Sequence, residues 1–453
     1  MRNQPATGTW AAAAQLVARW LDLRERVDAL LDGLPRGFTG PERARCQHLV
    51  IGTVRHFGRI DAALSRIVAH PPRFSTRAVL FIAGFEIIDA AAAGDDGRVA
   101  KIVHHAVEQA KALASPAEAR LVNAVVRKLA GPLSALAPTL NLSAGELGEY
   151  FSHPPWLVQV WLQQFGPEKT RALLEWNQSP ATLHGRWRAV GEAPPAFLKP
   201  TGRPAMFEIE AGRWPEVEPL LKAGKLYLQD PSTCIPVELL APQPGESVLD
   251  LCAAPGGKSL LIADTMRRPA APSADSVSAG ASGQAAAKPG RLVAIDLPGA
   301  RVDRLKENLA RIPDLDVALV QADALENLAL PLRAHQLPES YDAVLLDAPC
   351  TNTGVMRHRV DVKWRLQAGD FRKHHQQQLS LLHSAIKLVR PGGRLVYSTC
   401  SIDAVENEQV VNSFLIGKAG GPWELEKTVL SYPWQDGHDG AGAFLLRRSQ
   451  SQM

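Results

Sequence analysis

Apolar residues recur at spacings of three and four between residues 10 and 130, a pattern that predicts helices with almost no strand. Leu16, Val17, Trp20, Leu21 and Leu23 mark one face, followed by Val27, Leu30 and Leu31. Leu49, Val50, Val54 and Phe57 mark another, continued by Ile60, Leu64, Ile67 and Val68. Ala78 to Ile88 reads as a buried helix, and Ile102 to Leu113 with Leu121 to Leu129 completes an all-α bundle. Pro71-Pro72 and Gly94-Asp95-Asp96-Gly97 punctuate it. Beyond residue 141 the pattern is mixed. His153-Pro154-Pro155-Trp156 opens a helix to about Phe165, Pro167 starts another, and Pro180 to Lys225 suggests a small α+β unit.

From Ser247 the period alternates between strand and helix. Strands are expected at Ser247–Leu251, Arg291–Asp296, Val317–Gln321, Asp342–Asp347 and Arg394–Ser398, and helices at Lys258–Met266, Val302–Arg311 and Phe371–Val389. Strands separated by helices imply a parallel, doubly wound α/β sheet. The Ala, Ser, Pro and Gly run between Arg267 and Lys288 has no apolar period and predicts a disordered insertion over 267–290. The expected regions are therefore 1–140, helical; 141–240, linker helices and a small α+β subdomain; and 241–453, Rossmann-like.

Composition sharpens this picture only in places. The chain has 453 residues, of which 46% are hydrophobic and 21% charged, so it is globular and multidomain. The formal net charge is only +4, but residues 1–140 carry 18 basic and 12 acidic side chains. The positive excess lies at the N-terminal end, where a phosphate-bearing partner is the functional alternative to an Arg-rich solvated surface. Five cysteines, at 46, 234, 252, 350 and 400, form no Cys-x-x-Cys pair, which argues against a metal site of that type and against a secreted disulfide scaffold. Gln15, Arg19 and Asp22 break any signal-peptide core. Ala78 to Ala93 carries Glu86 and Asp89 and is too short to span a bilayer, so a cytoplasmic monomer without metal or membrane partner is expected.

The candidate chemistry lies in the C-terminal half. Asp250-Leu-Cys-Ala-Ala-Pro-Gly-Gly-Lys258 follows the first strand and opens a helix, at the carboxyl end where open α/β sheets bind nucleotides. The spacing is neither the dinucleotide fingerprint nor a P-loop, so a ribose-bearing cofactor with little phosphate fits better. Asp296, Asp323 and Asp347 stand at or just past the ends of successive strands, forming an acidic rim around one crevice. Asp296 is suited to ribose hydroxyls and Asp323 to an adenine amino group. Cys350 in Asp347-Ala-Pro-Cys350 and Cys400 in Ser398-Thr-Cys400-Ser401 are 50 residues apart, yet the topology brings both to that rim. A thiolate that adds to carbon 6 of a pyrimidine makes carbon 5 nucleophilic, which is one reason to keep thiols beside such a loop.

These motifs, with Thr353-Gly-Val355, Lys363-Trp364 and Glu406-Asn407-Glu408, resemble the Sun/Nop-type RNA (cytosine-5)-methyltransferases. Gly52-Thr-Val-Arg55 and Val122-Asn-Ala-Val-Val-Arg127 resemble the NusB fold, and the pairing is similar to the RsmB (Fmu/Sun) branch, whose substrate is bacterial 16S ribosomal RNA. The resemblance implies that Cys400 is the nucleophile and Cys350 assists release. It implies S-adenosylmethionine against Cys252, Ala253, Ala254, Pro255, Gly256, Gly257 and Lys258, with Asp296, Asp323 and Asp347 adding contacts. It also makes the N-terminal bundle an RNA-binding domain and small-subunit rRNA the partner. The choice between the cysteines comes from the family, because a DNA cytosine-5 enzyme would use the Pro-Cys cysteine, here Cys350. A non-catalytic RNA-binding assembly or antitermination factor, or methylation of another RNA, are the alternatives. Thr351-Asn352-Thr353 replaces the more usual small residues after Cys350. The basic, aromatic-bearing segment Arg357, His358, Arg359, Lys363, Trp364 and Arg365 is expected to contact RNA backbone.

Overall fold

The structure is a computed structural model that describes residues 8–95, 97–135, 142–267 and 290–450. The insertion expected after Arg267 lies outside the described residues from 268 to 289. The chain divides into two compact units, Met1–Pro180 with Met356–Ala368, and Ala181–Val355 with Gly369–Met453.

The first unit is helical, with α1 (Thr9–Leu23), α2 (Val27–Asp32), α3 (Gly40–Arg55), α4 (Phe57–Ile67), α5 (Phe74–Ala92), α6 (Arg98–Leu113), α7 (Pro116–Leu133), α8 (Ala144–Tyr150) and α9 (Pro155–Gln178). Helix α3 starts at a capping box in which the Thr39 N–H donates to Glu42 at 2.8 Å, satisfying donors the helix leaves open. Helix α5 is buried almost all round and forms the centre of the bundle core. Its one inward carboxylate, Glu86, accepts from Trp10 Nε1 at 3.1 Å and pairs with Arg45, so the buried charge is compensated. A Cβ at Gly52 would stand 2.1 Å from the Phe85 ring, so only glycine lets α3 approach α5 this closely. Helix α9 breaks at Gly166 (φ 77°) before Pro167, where the sequence predicts one helix ending and another beginning.

The second unit opens with a four-stranded antiparallel sheet of β1 (His184–Trp187), β2 (Leu198–Pro200), β3 (Met206–Ile209) and β4 (Leu226–Leu228), in the order β2-β3-β1-β4, with α10 (Trp214–Lys222) preceding β4. After α11 (Ile235–Leu240) come β5 (Ser247–Leu251), α12 (Gly257–Met266), β6 (Arg291–Asp296), α13 (Ala300–Leu309), β7 (Asp316–Gln321), α14 (Ala329–Ala334) and β8 (Tyr341–Asp347). The chain then enters the first unit, where Val362–Arg365 forms α15, and returns as α16 (Asp370–Ala385), β9 (Val389–Thr399), α17 (Glu408–Ile416), β10 (Trp423–Ser431), α18 (Pro433–Asp436) and β11 (Ala441–Arg448).

The large sheet has the order β10-β11-β9-β8-β5-β6-β7. Strands β5 to β9 pair in parallel, as expected, but β11 pairs antiparallel to both β9 and β10, so the sheet is mixed. Its two faces follow the period of two. Leu249, Leu251, Val293, Ile295, Val344 and Leu346 enter one core with Leu381, Leu382, Val410 and Phe414. Val248, Leu292, Ala343, Leu345 and Val396 enter the other with Ile235, Val237, Ile262 and Met266. A strand buried on both faces reads as a continuous apolar run, as β8 does. After β7 the chain crosses back so that β8 lies on the far side of β5, which makes the β5/β8 boundary the switch point where such sheets open a crevice.

The basic segment after the Cys350 loop corrects an expectation. Lys363 is fully buried in the first unit and donates to the Arg55 carbonyl at 3.0 Å. Trp364 Nε1 donates to the Val54 carbonyl at 2.9 Å, and its ring stands edge-on to Phe57. Arg357 is buried too and donates to the Pro180 carbonyl at 2.9 Å, with its guanidinium over the Trp176 ring. These three side chains hold the segment in the helical core beside Val360, rather than facing solvent and RNA. The apolar stems and ring outweigh the charges, whose donors are absorbed by carbonyls at helix ends. His358, Arg359 and Arg365 are exposed.

Candidate active site

The loop after β5 is tied down from the neighbouring strand and helix. Ala253 N donates to the Ile295 carbonyl at 3.1 Å, and Ala254 N donates to Asp296 Oδ2 at 2.7 Å. Asn308 Nδ2 donates to the Pro255 carbonyl at 2.7 Å, and Arg301 donates to the Ala254 carbonyl. Gly256 has φ 102°, and a Cβ there would meet Leu305 at 2.9 Å, so glycine is required on two counts. Asn308 and Arg301 escaped sequence reasoning because neither lies in a motif; each acts from a position on α13 that only the packed fold brings to the loop.

The sequence-predicted carboxylates are held differently from one another. Asp296 accepts from Ala254 and from its neighbour Leu297 N, and Asp323 caps its own turn at Leu325 N. Asp347 is paired with Lys258, whose Nζ donates to Oδ2 at 2.7 Å, and Ser398 Oγ donates to Oδ1 at 2.9 Å. Burial pulls the Lys258 ammonium down, but the Asp347 charge and hydrogen bond outweigh it, so its pKa is raised. Among the described residues Asp296 and Asp323 form no ion pair. A rim with two unpaired carboxylates and a neutralised lysine repels phosphate, and it suits a ligand that offers hydroxyls, amino groups and a positive charge.

The two cysteines meet. In the parallel β8/β9 pair Asp347 stands opposite Ser398, so Cys350 and Cys400 leave their strands at nearly equal offsets. Their sulfurs lie 3.1 Å apart, as free thiols, with Cys350 buried and Cys400 half-exposed. The hydrogen bond to Cys400 and burial push the Cys350 thiol well above its usual pKa. Asn352, in the left-handed region at φ 62°, donates from Nδ2 to the Cys350 carbonyl at 2.8 Å, and its Oδ1 accepts from Cys400 Sγ at 3.3 Å. Lys258 is close enough for a charge on Cys400 to act on it. The other cysteines are poor candidates for this chemistry. Burial raises Cys46 and Cys234 to about 11, and burial with the Asp296, Asp347 and Asp250 charges raises Cys252 further.

Buried polar groups behind the thiols fix both loops. Glu406 accepts from Thr351 N at 2.9 Å and from Gln378 Nε2 at 3.0 Å, and also from the Thr351 hydroxyl. Thr353 Oγ1 donates to Asp403 Oδ2 at 2.5 Å, and Asn407 Nδ2 donates to the Ser401 carbonyl at 2.9 Å. Gly354 N donates to the Cys400 carbonyl at 3.0 Å, linking the turn after Cys350 to the chain after β9. Gln378 and Asp403 carried no sequence signal, since each is one polar residue among several on its element.

Comparison with known proteins fits this geometry. Residues 281–438 match the family described as 16S rRNA methyltransferase RsmB/F, and residues 9–131 match the NusB family. These matches support an RNA methyltransferase of the RsmB/F type joined to a NusB-family domain. Ribosomal RNA small subunit methyltransferase B of Vibrio cholerae is 29% identical over 89% of this chain and 88% of its own length. The protein of that name from Yersinia enterocolitica is 26% identical over 89% of each chain. The crystal structure of PH0851 shares the fold with a TM-score of 0.73 at 22% identity, over 98% of this chain and 99% of that one. NSun6 from Pyrococcus horikoshii with SFG matches with a TM-score of 0.52 at 19% identity, over 66% of this chain and 99% of that one. No described helix is long and apolar enough to cross a membrane.

Proposed function

We propose that the protein methylates carbon 5 of a cytosine in 16S ribosomal RNA, with S-adenosylmethionine as methyl donor and a covalent bond between Cys400 and carbon 6 of the base. The observation that carries the reading is the 3.1 Å approach of the two thiols beside the glycine loop and acidic rim. The names of the relatives support rRNA as the substrate.

Cofactor binding falls to 252–258, Asp296, Asp323 and Asp347 in this reading, which suits the acidic, phosphate-repelling rim. S-adenosylmethionine supplies a methyl group already activated on a sulfonium. The chain's own work is on the base. Carbon 5 of cytosine is a weak nucleophile, and addition of the Cys400 thiolate to carbon 6 turns it into an enamine carbon that can take the methyl group. Lys258 is held protonated by its pairing with Asp347. Loss of the carbon 5 proton then expels Cys400, and Cys350, in contact with it, assists that release. A thiol can reach carbon 6 only after the base has left its stack.

The test is methyl transfer from labelled S-adenosylmethionine to unmodified small-subunit rRNA. Wild type is expected to label cytosine carbon 5, Cys400→Ser to be inactive, and Cys350→Ser to accumulate a covalent RNA adduct. An inactive Cys350→Ser without adduct, beside an active Cys400→Ser, reverses the two roles. No label from wild type on any RNA removes the enzymatic reading.

A further inference from the structure

Helices α6 and α7 form an antiparallel hairpin joined at Ala114 and Ser115, and their apolar stripes face the bundle core. On the outer side the two helices part over a cleft of about 380 Å³. One wall carries His104, Glu108 and Lys111, and the other carries Arg120, Asn123 and Arg127. These are helical ridge positions, and at about 1.5 Å per residue the seven-residue spans from His104 to Lys111 and from Arg120 to Arg127 each cover about 10 Å. All six side chains belong to exposed residues.

Several arginines of this unit are already matched. Arg19, Arg45, Arg66, Arg73, Arg77 and Arg98 each face a carboxylate. Among the described residues Arg120 and Arg127 face none; Arg127 donates only to the neutral Asn123, at 3.2 Å. Lys101 and Lys128, exposed on the same two helices, are likewise without an ion pair. The cleft's one carboxylate, Glu108, pairs with Lys111 at 2.7 Å while both remain about half exposed, an arrangement of little energy that an incoming anion can displace. Part of the N-terminal surplus of positive charge is therefore left unneutralised along this cleft. No Phe, Tyr or Trp lines it, so the chemistry it offers is chiefly phosphate binding with little sequence readout.

We propose that the α6–α7 cleft binds the sugar-phosphate backbone of the RNA substrate, with Arg120 and Arg127 as its principal contacts. The inference rests on the reading of RNA as substrate, but it can be tested without any methyl transfer. The full-length protein and an Arg120→Glu/Arg127→Glu variant are titrated with unmodified small-subunit rRNA over a potassium chloride series. The variant is expected to bind at least about tenfold more weakly, and its plot of log affinity against log salt should be shallower by about 1.5 to 2, for two lost phosphate contacts. An Arg120→Lys/Arg127→Lys variant should keep the wild-type slope. In transfer assays the Glu variant should raise KM for RNA and leave kcat and the unfolding temperature unchanged.

Equal affinity and slope in wild type and Glu variant overturn the proposal and leave the cleft to an acidic protein partner. Weaker binding with an unchanged slope, or no retention by the Lys pair, overturns it as a folding effect. Absence of salt-dependent rRNA binding by the wild type overturns it together with the RNA reading. Binding that behaves as expected in a protein that transfers no methyl group sustains the cleft and removes only the catalytic proposal.

Discussion

Asp250 lies in the middle of the sheet with no exposure. Its Oδ2 accepts from Ser259 Oγ at 2.5 Å, while its Oδ1 has no hydrogen-bond partner. Burial pushes its pKa up to about 7, and the Asp347 charge adds to the shift. An aspartic acid that holds its proton more tightly when folded than its unfolded value of about 3.9 loses stability as pH rises between the two, and the loss is complete above the folded value. Asp250→Asn keeps the shape and removes the titration. Its urea midpoint should exceed that of the wild type at pH 8, by up to about 4 kcal/mol in free energy, and the difference should vanish towards pH 4. Parallel stability curves for the two proteins from pH 4 to pH 8 would refute this. Asp250 belongs to a motif that is plain in the sequence, as are the loop glycines and both cysteines, because each lies in a short contiguous run with a strand before it. What lies behind them is not legible. Thr351, Gln378 and Glu406 come from segments 28 and 55 residues apart, and nothing in their local sequence says that one carboxylate will gather both partners.

The turn Thr353–Val355 shows the same division at the level of elements. A Cβ on Gly354 would stand 2.7 Å from two backbone carbonyl oxygens, those of Cys400 and Gly440, and neither can move as a side chain can. Gly354 also donates to the Cys400 carbonyl and accepts from Gly440 N at 2.9 Å, so it joins the turn after β8 to the end of β9 and to the approach to β11. Gly354→Ala should force these segments apart. Methyl transfer is expected to fall at least about a hundredfold, a scale set by the sensitivity of catalysis to a displacement of about 1 Å, with the circular dichroism spectrum preserved. Near-normal transfer by a folded variant would show that the three segments need not meet so closely. The parallel strands β5 to β8 were readable because burial on both faces leaves continuous apolar runs. Strands β10 and β11 were not read. The irregularity between Leu425 and Lys427 breaks the alternation of β10, and its polar, partly exposed face gives it the composition of a loop.

At the scale of the whole molecule the first unit is discontinuous. Met356–Ala368 leaves the chain of the second unit and completes the helical core formed by Met1–Pro180. No periodicity announces this, because a thirteen-residue excursion with four basic residues among its first ten looks like a solvated loop until Lys363 and Trp364 are seen donating to the carbonyls that end α3. Burial, and then the nearby Arg55 charge, hold the Lys363 ammonium well below its usual pKa, so the segment tolerates one costly group for the contacts of Val360 and Trp364. Gly58 makes room for that ring, since a Cβ there would lie 2.6 Å from Trp364. A polypeptide of residues 1–180 therefore lacks part of its own core, and a synthetic peptide of residues 356–368 should supply it. At a peptide concentration of about 100 times Kd the gain is about 2.7 kcal/mol, which raises the unfolding temperature of a unit this size by about 5–10 °C. A peptide carrying Trp364→Ala should give little or no rise, because it loses the ring against Phe57 and the donor to Val54. Equal effects from the two peptides, or none from either, would mean that the segment is only tethered to the helical unit and does not help to build it.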